Sequence, residues 1–159
     1  MNYITNIINR FSMGVTAAII TSLALIAGLA HGEGNKNTIV AGLLIIAIAD
    51  NIADSLSIHI YKEAEGASKK EIISSTLGNF TVRLIVALTF VGIILLLPPF
   101  SAFVVSIIWG IFLLVILSYS IAKVHKMNIF KETAWHLLVA FLVIGGSKLL
   151  GGFISGQFE

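Results

Sequence analysis

The sequence predicts an all-α fold: a polytopic membrane protein with five transmembrane helices and a cytoplasmic N-terminus. The composition is the first reason, since 57% of the 159 residues are hydrophobic and only 11% are charged. A soluble domain of this size has too much surface for its volume to bury so much apolar material. The second reason is that several apolar stretches run for about 18 residues or more without a charge, which is the length needed to cross a bilayer.

These stretches make up one transmembrane domain, residues 1–159, with five helices. The helices are predicted at residues 11–30, 38–61, 80–97, 101–122 and 133–154, and residues 62–79 are predicted to form a cytoplasmic linker. Helices are favoured because lipid offers no hydrogen-bond partner to an open backbone, and the period-two alternation of a membrane barrel is absent. The chain has no cysteine, which excludes disulfides, thiolate metal sites and cysteine nucleophiles.

The distribution of basic residues predicts the orientation. With five alternating spans, eight of the ten basic residues fall on one side of the membrane: Arg10, Lys62, Lys69, Lys70, Arg83, Lys123, Lys126 and Lys131. The positive-inside rule places that side, and the N-terminus, in the cytoplasm. The net charge of +2 is therefore explained by cytoplasmic loops, and no nucleic-acid partner is expected. We expect the plasma membrane of a prokaryote as the location.

The second predicted helix carries two carboxylates inside its apolar run. Asp50, Asp54 and Ser57 lie three to four residues apart and so share one helix face, with Asn51 beside them. A lone ionised carboxylate in the middle of a membrane costs at least about 2.5–3.5 kcal/mol. Two carboxylates on one face also repel each other. A cation, a proton or a basic side chain must therefore compensate them.

Two explanations of the carboxylates stay open. In the first, oxygen atoms of this face bind a divalent cation or carry a proton. The residues expected to serve this metal and proton site are Asp50, Asp54, Asn51, Ser57, His59 and, at the cytoplasmic mouth, Glu63. In the second, the carboxylates form structural ion pairs with Lys148, inside the fifth predicted span, or with Arg83, at the inner end of the third.

Small residues recur at spacings of three to four in the first predicted helix, where they allow close packing between helices. Gly14, Thr21 and Gly28 belong to this pattern, and the last helix adds further glycines. Such stripes are compatible with a tight helix pair inside one chain and with a dimer.

Three segments resemble helices of the vacuolar iron transporter family. "ITSLALIAGLAHG" (20–32) is similar to its first helix, "ADSLSIHIYKEAEG" (53–66) to its second and "LVIGGSKLLGG" (142–152) to its glycine-rich last helix. Gly14, Thr21 and Gly28 match the first-helix pattern, and Ser57 matches the second. The chain departs from the family at Ala17, where the family has an acid, and it lacks most of the cytoplasmic metal-binding domain.

The resemblance implies a divergent, minimal member of a family of homodimers that exchange iron(II) or manganese(II) for protons. We therefore expect a transporter of these divalent metals, with the transported metal ion as ligand and no permanently bound cofactor. The alternative is a non-transporting membrane scaffold whose aspartates form ion pairs with Lys148 or Arg83. An enzyme is not expected, because both intramembrane acids lie on one helix, whereas aspartyl intramembrane proteases need acids on two.

Overall fold

The computed structural model describes residues 3–32 and 34–158, with side chains described for residues 11–32 and 34–157. The helices are α1 (Tyr3–His31), α2 (Lys36–Ile45), α3 (Asn51–Ala64), α4 (Lys69–Leu96), α5 (Pro99–Val124) and α6 (Ile129–Phe158). One π-helical turn, Ile46–Asp50, joins α2 to α3 without a break, so that Lys36–Ala64 forms a single span.

Among the described residues, five helical segments are long and apolar enough to cross a membrane. They are Phe11–His31, Lys36–Ala64, Lys69–Leu96, Pro99–Val124 and Ile129–Gln157. This confirms the prediction of an all-helical, multi-pass membrane protein. At about 1.5 Å per residue, the 28 residues of α4 extend for about 42 Å, which matches a bilayer of about 40–45 Å including its headgroups.

The third span begins well before the predicted residue 80. Helix α4 starts at Lys69, because the side chain of Ser68 caps it by accepting a hydrogen bond from the backbone N–H of Glu71. Gly66, with φ of 70°, makes the turn between α3 and α4. Most of the predicted linker at residues 62–79 is therefore helical, because a polar but well-capped segment extends the apolar helix.

Helix α1 is the centre of the fold and packs against α2, α4, α5 and α6. Its side chains Ile19, Leu23 and Ile26 are fully buried and form the core with Phe90 and Leu114. By contrast, in an apolar 18-residue stretch of each helix, only 6% of the residues of α6 are buried, against 39% of those of α1. Helix α6 therefore lies at the edge of the bundle, with most of its surface open to the surroundings.

Glycines set the contact between α1 and α6. A Cβ on Gly151 would overlap the carbonyl oxygen of Gly28, and one on Gly32 would lie 3.1 Å from the carbonyl oxygen of Gly151. Backbone thus meets backbone at this crossing, as small residues in membrane helices allow. Thr21, also predicted as a packing residue, instead donates its hydroxyl hydrogen to Ala17 O of its own helix, 2.8 Å away.

Candidate ion site in the second span

A π-helical turn places the two carboxylates at the centre of the second span. In this turn the backbone N–H of Asn51 bonds to the carbonyl of Ile46, five residues back, instead of four. The side-chain amide of Asn51 donates to Ala47 O at 3.2 Å and across to Phe80 O of α4 at 2.8 Å. Asn51 is 1% exposed, so it fastens the widened turn to α4 from a buried position.

Arg83 of α4 lies between the two carboxylates. Its Nη1 donates to Asp54 Oδ2 at 2.9 Å, and its Nη2 donates to Asp50 Oδ2. The arginine is 3% exposed, so its guanidinium is removed from solvent and held by both partners. Charge-assisted hydrogen bonds of this kind are about twice as strong as neutral ones. We refer to four residues as the carboxylate cluster: Asp50, Asp54, Asn79 and Arg83.

Asn79, one turn before Arg83 on α4, completes this cluster. Its Nδ2 donates to Asp54 Oδ2 at 3.0 Å and to Ser55 Oγ at 3.2 Å. Helix α1 closes the back of the cluster at Gly14, where an added Cβ would overlap Asn79 Oδ1 and would lie 3.3 Å from Arg83 Cγ. A side chain at Gly14 would therefore displace both of the residues that hold the aspartates.

The carboxylate cluster lies at the middle of the second and third helical spans. Asp50 is 14 residues from each end of the Lys36–Ala64 span, and Arg83 is 14 residues from Lys69 and 13 from Leu96. At about 1.5 Å per residue, each is about 20 Å from the ends of its helix. The prediction that Arg83 lies at the inner end of the third span is wrong, because α4 begins 11 residues earlier than predicted.

The cluster is negatively charged and partly open. Two carboxylates against one guanidinium leave a formal charge of −1. The side chains of Asp50 and Asp54 are 49% and 38% exposed, respectively, on the outer face of the span. In each carboxylate Oδ2 is the bonded atom, and Oδ1 accepts no hydrogen bond within the described part of the chain.

Two other atoms of the cluster are buried without a partner. Arg83 Nε donates to no described group, and Asn79 Oδ1 accepts from none. Buried polar atoms are nearly always paired, so these two mark a cluster whose hydrogen bonding is incomplete in this conformation.

The other predicted site residues lie apart from the cluster. Ser57 donates to Ala53 O of its own helix at 3.0 Å, and His59 Nδ1 lies 3.4 Å from Thr76 Oγ1. Glu63 is exposed near the end of α3. Asn51 uses its amide nitrogen in the π-turn, and its Oδ1 lies 3.4 Å from Ser55 Oγ. Its side-chain oxygen is therefore engaged by Ser55 and does not join the aspartates as a ligand for an ion.

Lys148, predicted as a possible partner of the aspartates, is placed elsewhere. It is exposed on α6 and makes no ion pair with any described side chain. Of the two basic residues that the sequence offers, Arg83 alone contacts the carboxylates. Within residues 3–32 and 34–158, no group of three or more histidine, aspartate or glutamate side chains is arranged to hold a metal.

Asn79 is a member of the cluster that the sequence analysis missed, because residue 79 fell in the predicted linker. Asn79 and Arg83 are four residues apart on α4, the same spacing as Asp50 and Asp54. Two polar pairs with the same spacing in consecutive spans indicate that the two helix faces contact each other. With the correct start for α4, the sequence would have revealed this pattern.

A second set of charges lies at the end of α3. Glu65 accepts hydrogen bonds from Lys62 Nζ at 2.8 Å and from Tyr61 Oη at 2.6 Å. The hydrogen bond from Lys62, followed by that from Tyr61, lowers the pKa of the Glu65 carboxyl below its usual value. Glu65 is exposed and Lys62 is partly exposed, and this pair is separate from the carboxylate cluster.

Compared with protein-family models, with curated proteins and with solved structures, the chain matches none. The resemblance to the vacuolar iron transporter family therefore stays a hypothesis that rests on short segments of sequence. What the molecule itself establishes is a multi-pass membrane protein with a negatively charged, half-open cluster at the middle of its second and third spans.

Proposed function

We propose that this chain is a membrane transporter of cations and that the carboxylate cluster is the site at which the cation binds. One observation carries the proposal: two half-exposed carboxylates share a single buried guanidinium at mid-membrane. Acidic residues at this depth mark ion pathways and proton relays in membrane proteins. We also propose that the N-terminus lies in the cytoplasm of a prokaryotic cell, as the distribution of basic residues predicts.

Charge balance is the physical reason for a mobile ion. The residual charge of −1 would cost at least about 2.5–3.5 kcal/mol in hydrocarbon if nothing compensated it. Oδ1 of Asp50 and of Asp54 accepts no hydrogen bond from a described residue, and both side chains are partly exposed, so a cation can approach these two oxygens while Arg83 keeps its hydrogen bonds.

Divalent iron or manganese is the substrate class that we propose, as the family resemblance implies. Such an ion prefers oxygen ligands, and Asp50 and Asp54 supply them. A homodimer would bring four carboxylates into one assembly, which is the reason for proposing that state as well.

Uptake into proteoliposomes tests this proposal. Wild-type protein should accumulate Mn²⁺ or Fe²⁺ in vesicles that are acidic inside, because proton exit would drive metal entry. Asp54→Asn should lose the uptake because it removes one of two ligands. Glu132→Gln, in the first turn of α6, is the matched control, since it removes a carboxylate outside the cluster. Equal uptake by wild type and Asp54→Asn would remove the cluster from the mechanism.

The second candidate is a non-transporting scaffold, and the burial of Arg83 with two partners favours it. In this account the cluster only fastens α3 to α4, as the bonds from Arg83 and Asn79 to Asp54 do. The same proteoliposomes separate the two functions. A scaffold leaves wild-type uptake at the level of empty vesicles, while Arg83→Gln still destabilises the protein.

A further inference from the structure

We infer that the π-helical turn Ile46–Asp50 sets the rotation of α3 that keeps Asp50 and Asp54 on the outer face of the second span, and that Asn51 is the positioning residue that holds this turn. This role deepens the proposed function, on which it rests, because a cation can approach the two carboxylates only while they stay partly exposed. The rotation in question is that of α3 about its own axis, relative to α2.

The π-turn contains one residue more than the same stretch of α-helix would use. The backbone N–H of Asn51 bonds to Ile46 O, five residues back, while α2 before the turn and α3 after it are α-helical. In an α-helix each residue advances by about 100° around the axis. The turn takes up one extra residue, so α3 is rotated by about 100° relative to its orientation in an uninterrupted helix.

This rotation decides where the carboxylates lie. Without the extra residue, each side chain of α3 would move to the place that the following residue now has. Asp50 would take the place of Asn51, and Asp54 that of Ser55, and both of these places are buried. At present the side chains of Asp50 and Asp54 are partly exposed. The π-turn therefore places the carboxylates at the outer face of the span instead of inside the bundle.

Packing determines that α3, and not α2, would rotate if the turn were lost. Leu43 of α2 is fully buried in the core. Gly42 of α2 lies so close to α1 that an added Cβ would overlap the side chain of Leu25. By contrast, among residues 51–64, all of which the structure describes, the buried side chains are the polar ones of Asn51 and Ser55. No buried apolar side chain of these residues therefore resists a rotation of α3.

The side chain of Asn51 stabilises the π-turn from within. In an uninterrupted α-helix the backbone N–H of Asn51 would bond to Ala47 O, four residues back. Here that N–H is used at Ile46 O, and Nδ2 of the same residue donates to Ala47 O instead. Nδ2 also donates to Phe80 O of α4, which fixes the turn to its neighbour. Asn51→Leu, a change of similar size, removes both bonds and leaves the uninterrupted helix as the better-bonded form.

Cysteine crosslinking measures the rotation of α3 directly, because the chain has no cysteine of its own. His59 Nδ1 of α3 lies 3.4 Å from Thr76 Oγ1 of α4, so the pair His59→Cys/Thr76→Cys reports the present rotation. The pair Ile58→Cys/Thr76→Cys reports the uninterrupted helix, because residue 58 would then take the place of residue 59. Copper phenanthroline drives disulfide formation in membranes that hold the full chain.

The expected result is a shift of the disulfide by one residue and its reversal. An otherwise wild-type chain should form the disulfide between positions 59 and 76, and Asn51→Leu should form the one between positions 58 and 76. Ala49 is an exposed residue of the turn, and its deletion removes the extra residue itself. Asn51→Leu with Ala49 deleted should therefore return to the disulfide between positions 59 and 76.

Asn79→Leu is the matched control. It also removes a buried amide, one that bonds to Asp54, but it lies outside the π-turn. This variant should keep the disulfide between positions 59 and 76. Asn51→Leu protein that crosslinks as the wild type does would overturn the role of Asn51.

Deletion of Ala49 alone decides the matter if Asn51→Leu does not fold. The variant with this deletion should fold and crosslink between positions 59 and 76, because it loses only the residue that the π-turn takes up. A deletion variant that unfolds, or that no longer crosslinks through position 59, would show that the turn holds no extra residue and would overturn the inference.

The crosslinks form without any transport, so the two proposals can fail separately. The predicted crosslinks in a wild-type protein that takes up no metal would refute the proposed transport and leave the rotation of α3 as inferred. Metal uptake that persists in Asn51→Leu, after its disulfide has moved to position 58, would overturn the positioning role and leave transport intact.

Discussion

Arg83 and Lys148 are both basic residues inside apolar helices, yet they have opposite surroundings. Arg83 lies at the middle of α4, is 3% exposed and contacts two carboxylates. Lys148 is exposed on α6, the least buried span, nine residues or about 14 Å from the end of that span at Gln157. A lysine this near the end can extend its ammonium group towards the interface, whereas an arginine at mid-membrane needs partners in the protein.

The difference teaches that a charge in a span must be judged by depth and neighbours together. The two residues look alike in sequence, and each was a candidate partner for Asp50 and Asp54. Only the helix packing, with α3 against α4 and α6 on the far side of α1, decides between them.

The largest expected effect is on the free energy of unfolding, when the charge of Arg83 or of Lys148 is removed. Arg83→Met should destabilise the protein by about 3–5 kcal/mol, because it removes two hydrogen bonds to charged groups, each worth about 1.5–3 kcal/mol, and leaves two half-exposed carboxylates side by side without a cation. Lys148→Met removes no ion pair and should change the unfolding free energy by less than about 0.5 kcal/mol. Chemical denaturation in detergent micelles measures both. Equal losses from the two variants would show that Arg83 and Lys148 are equivalent after all.

A smaller effect on stability is expected from two glycines of α6, of which one packs against α1 and the other lies open. Gly151→Ala should cost about 1–3 kcal/mol, because its Cβ would overlap backbone of α1 that cannot rotate away. Gly152→Ala is the matched control, since nothing lies within 4 Å of its added methyl group. Thermal unfolding of the two variants gives the comparison. A Gly151→Ala protein as stable as Gly152→Ala would mean that α1 and α6 do not cross where described.

The smallest effect concerns an ion pair in water rather than in the membrane. The pKa of Glu65 is lowered by its hydrogen bonds from Lys62 and Tyr61, so its contribution to stability is present above its unfolded-state pKa. That contribution is lost as the pH falls through the folded-state pKa. Glu65→Gln should therefore lose a small part of the acid dependence of unfolding and change nothing near neutral pH beyond the weak exposed pair.

Unfolding curves over a range of acidic pH values, for wild type and Glu65→Gln, measure this difference. A wild-type curve with the same slope as that of the variant would show that the hydrogen bonds to Glu65 do not persist in solution.

Much of the fold could be predicted from the sequence, because hydropathy reports directly on transfer into lipid. The five spans follow from it. The start of α4 could not be found in this way, since "SKKEIISST" (68–76) is polar, and a cap at Ser68, not hydropathy, determines where the helix begins. Arg83 therefore lies at the middle of the third helical span, not among the cytoplasmic basic residues. It no longer supports the predicted orientation of the chain.

The site was predictable only in part. The spacing of Asp50 and Asp54 identified the acids, but their partners lie 25 to 33 residues away in sequence. Asn51 was expected to bind an ion through oxygen, and it is instead used by the π-turn, which no residue spacing predicts. The choice of Arg83 over Lys148 depends on tertiary packing, which a single sequence does not contain.

The most direct test of the central claim is proton movement through the carboxylate cluster. Proteoliposomes with a pH-sensitive dye inside are given an external Mn²⁺ or Fe²⁺ gradient, and wild type is compared with Asp50→Asn. We expect metal entry to drive proton exit in wild type and neither flux in Asp50→Asn. Identical fluxes in the two proteins would contradict the account, because Asp50 would then carry neither the metal nor the proton.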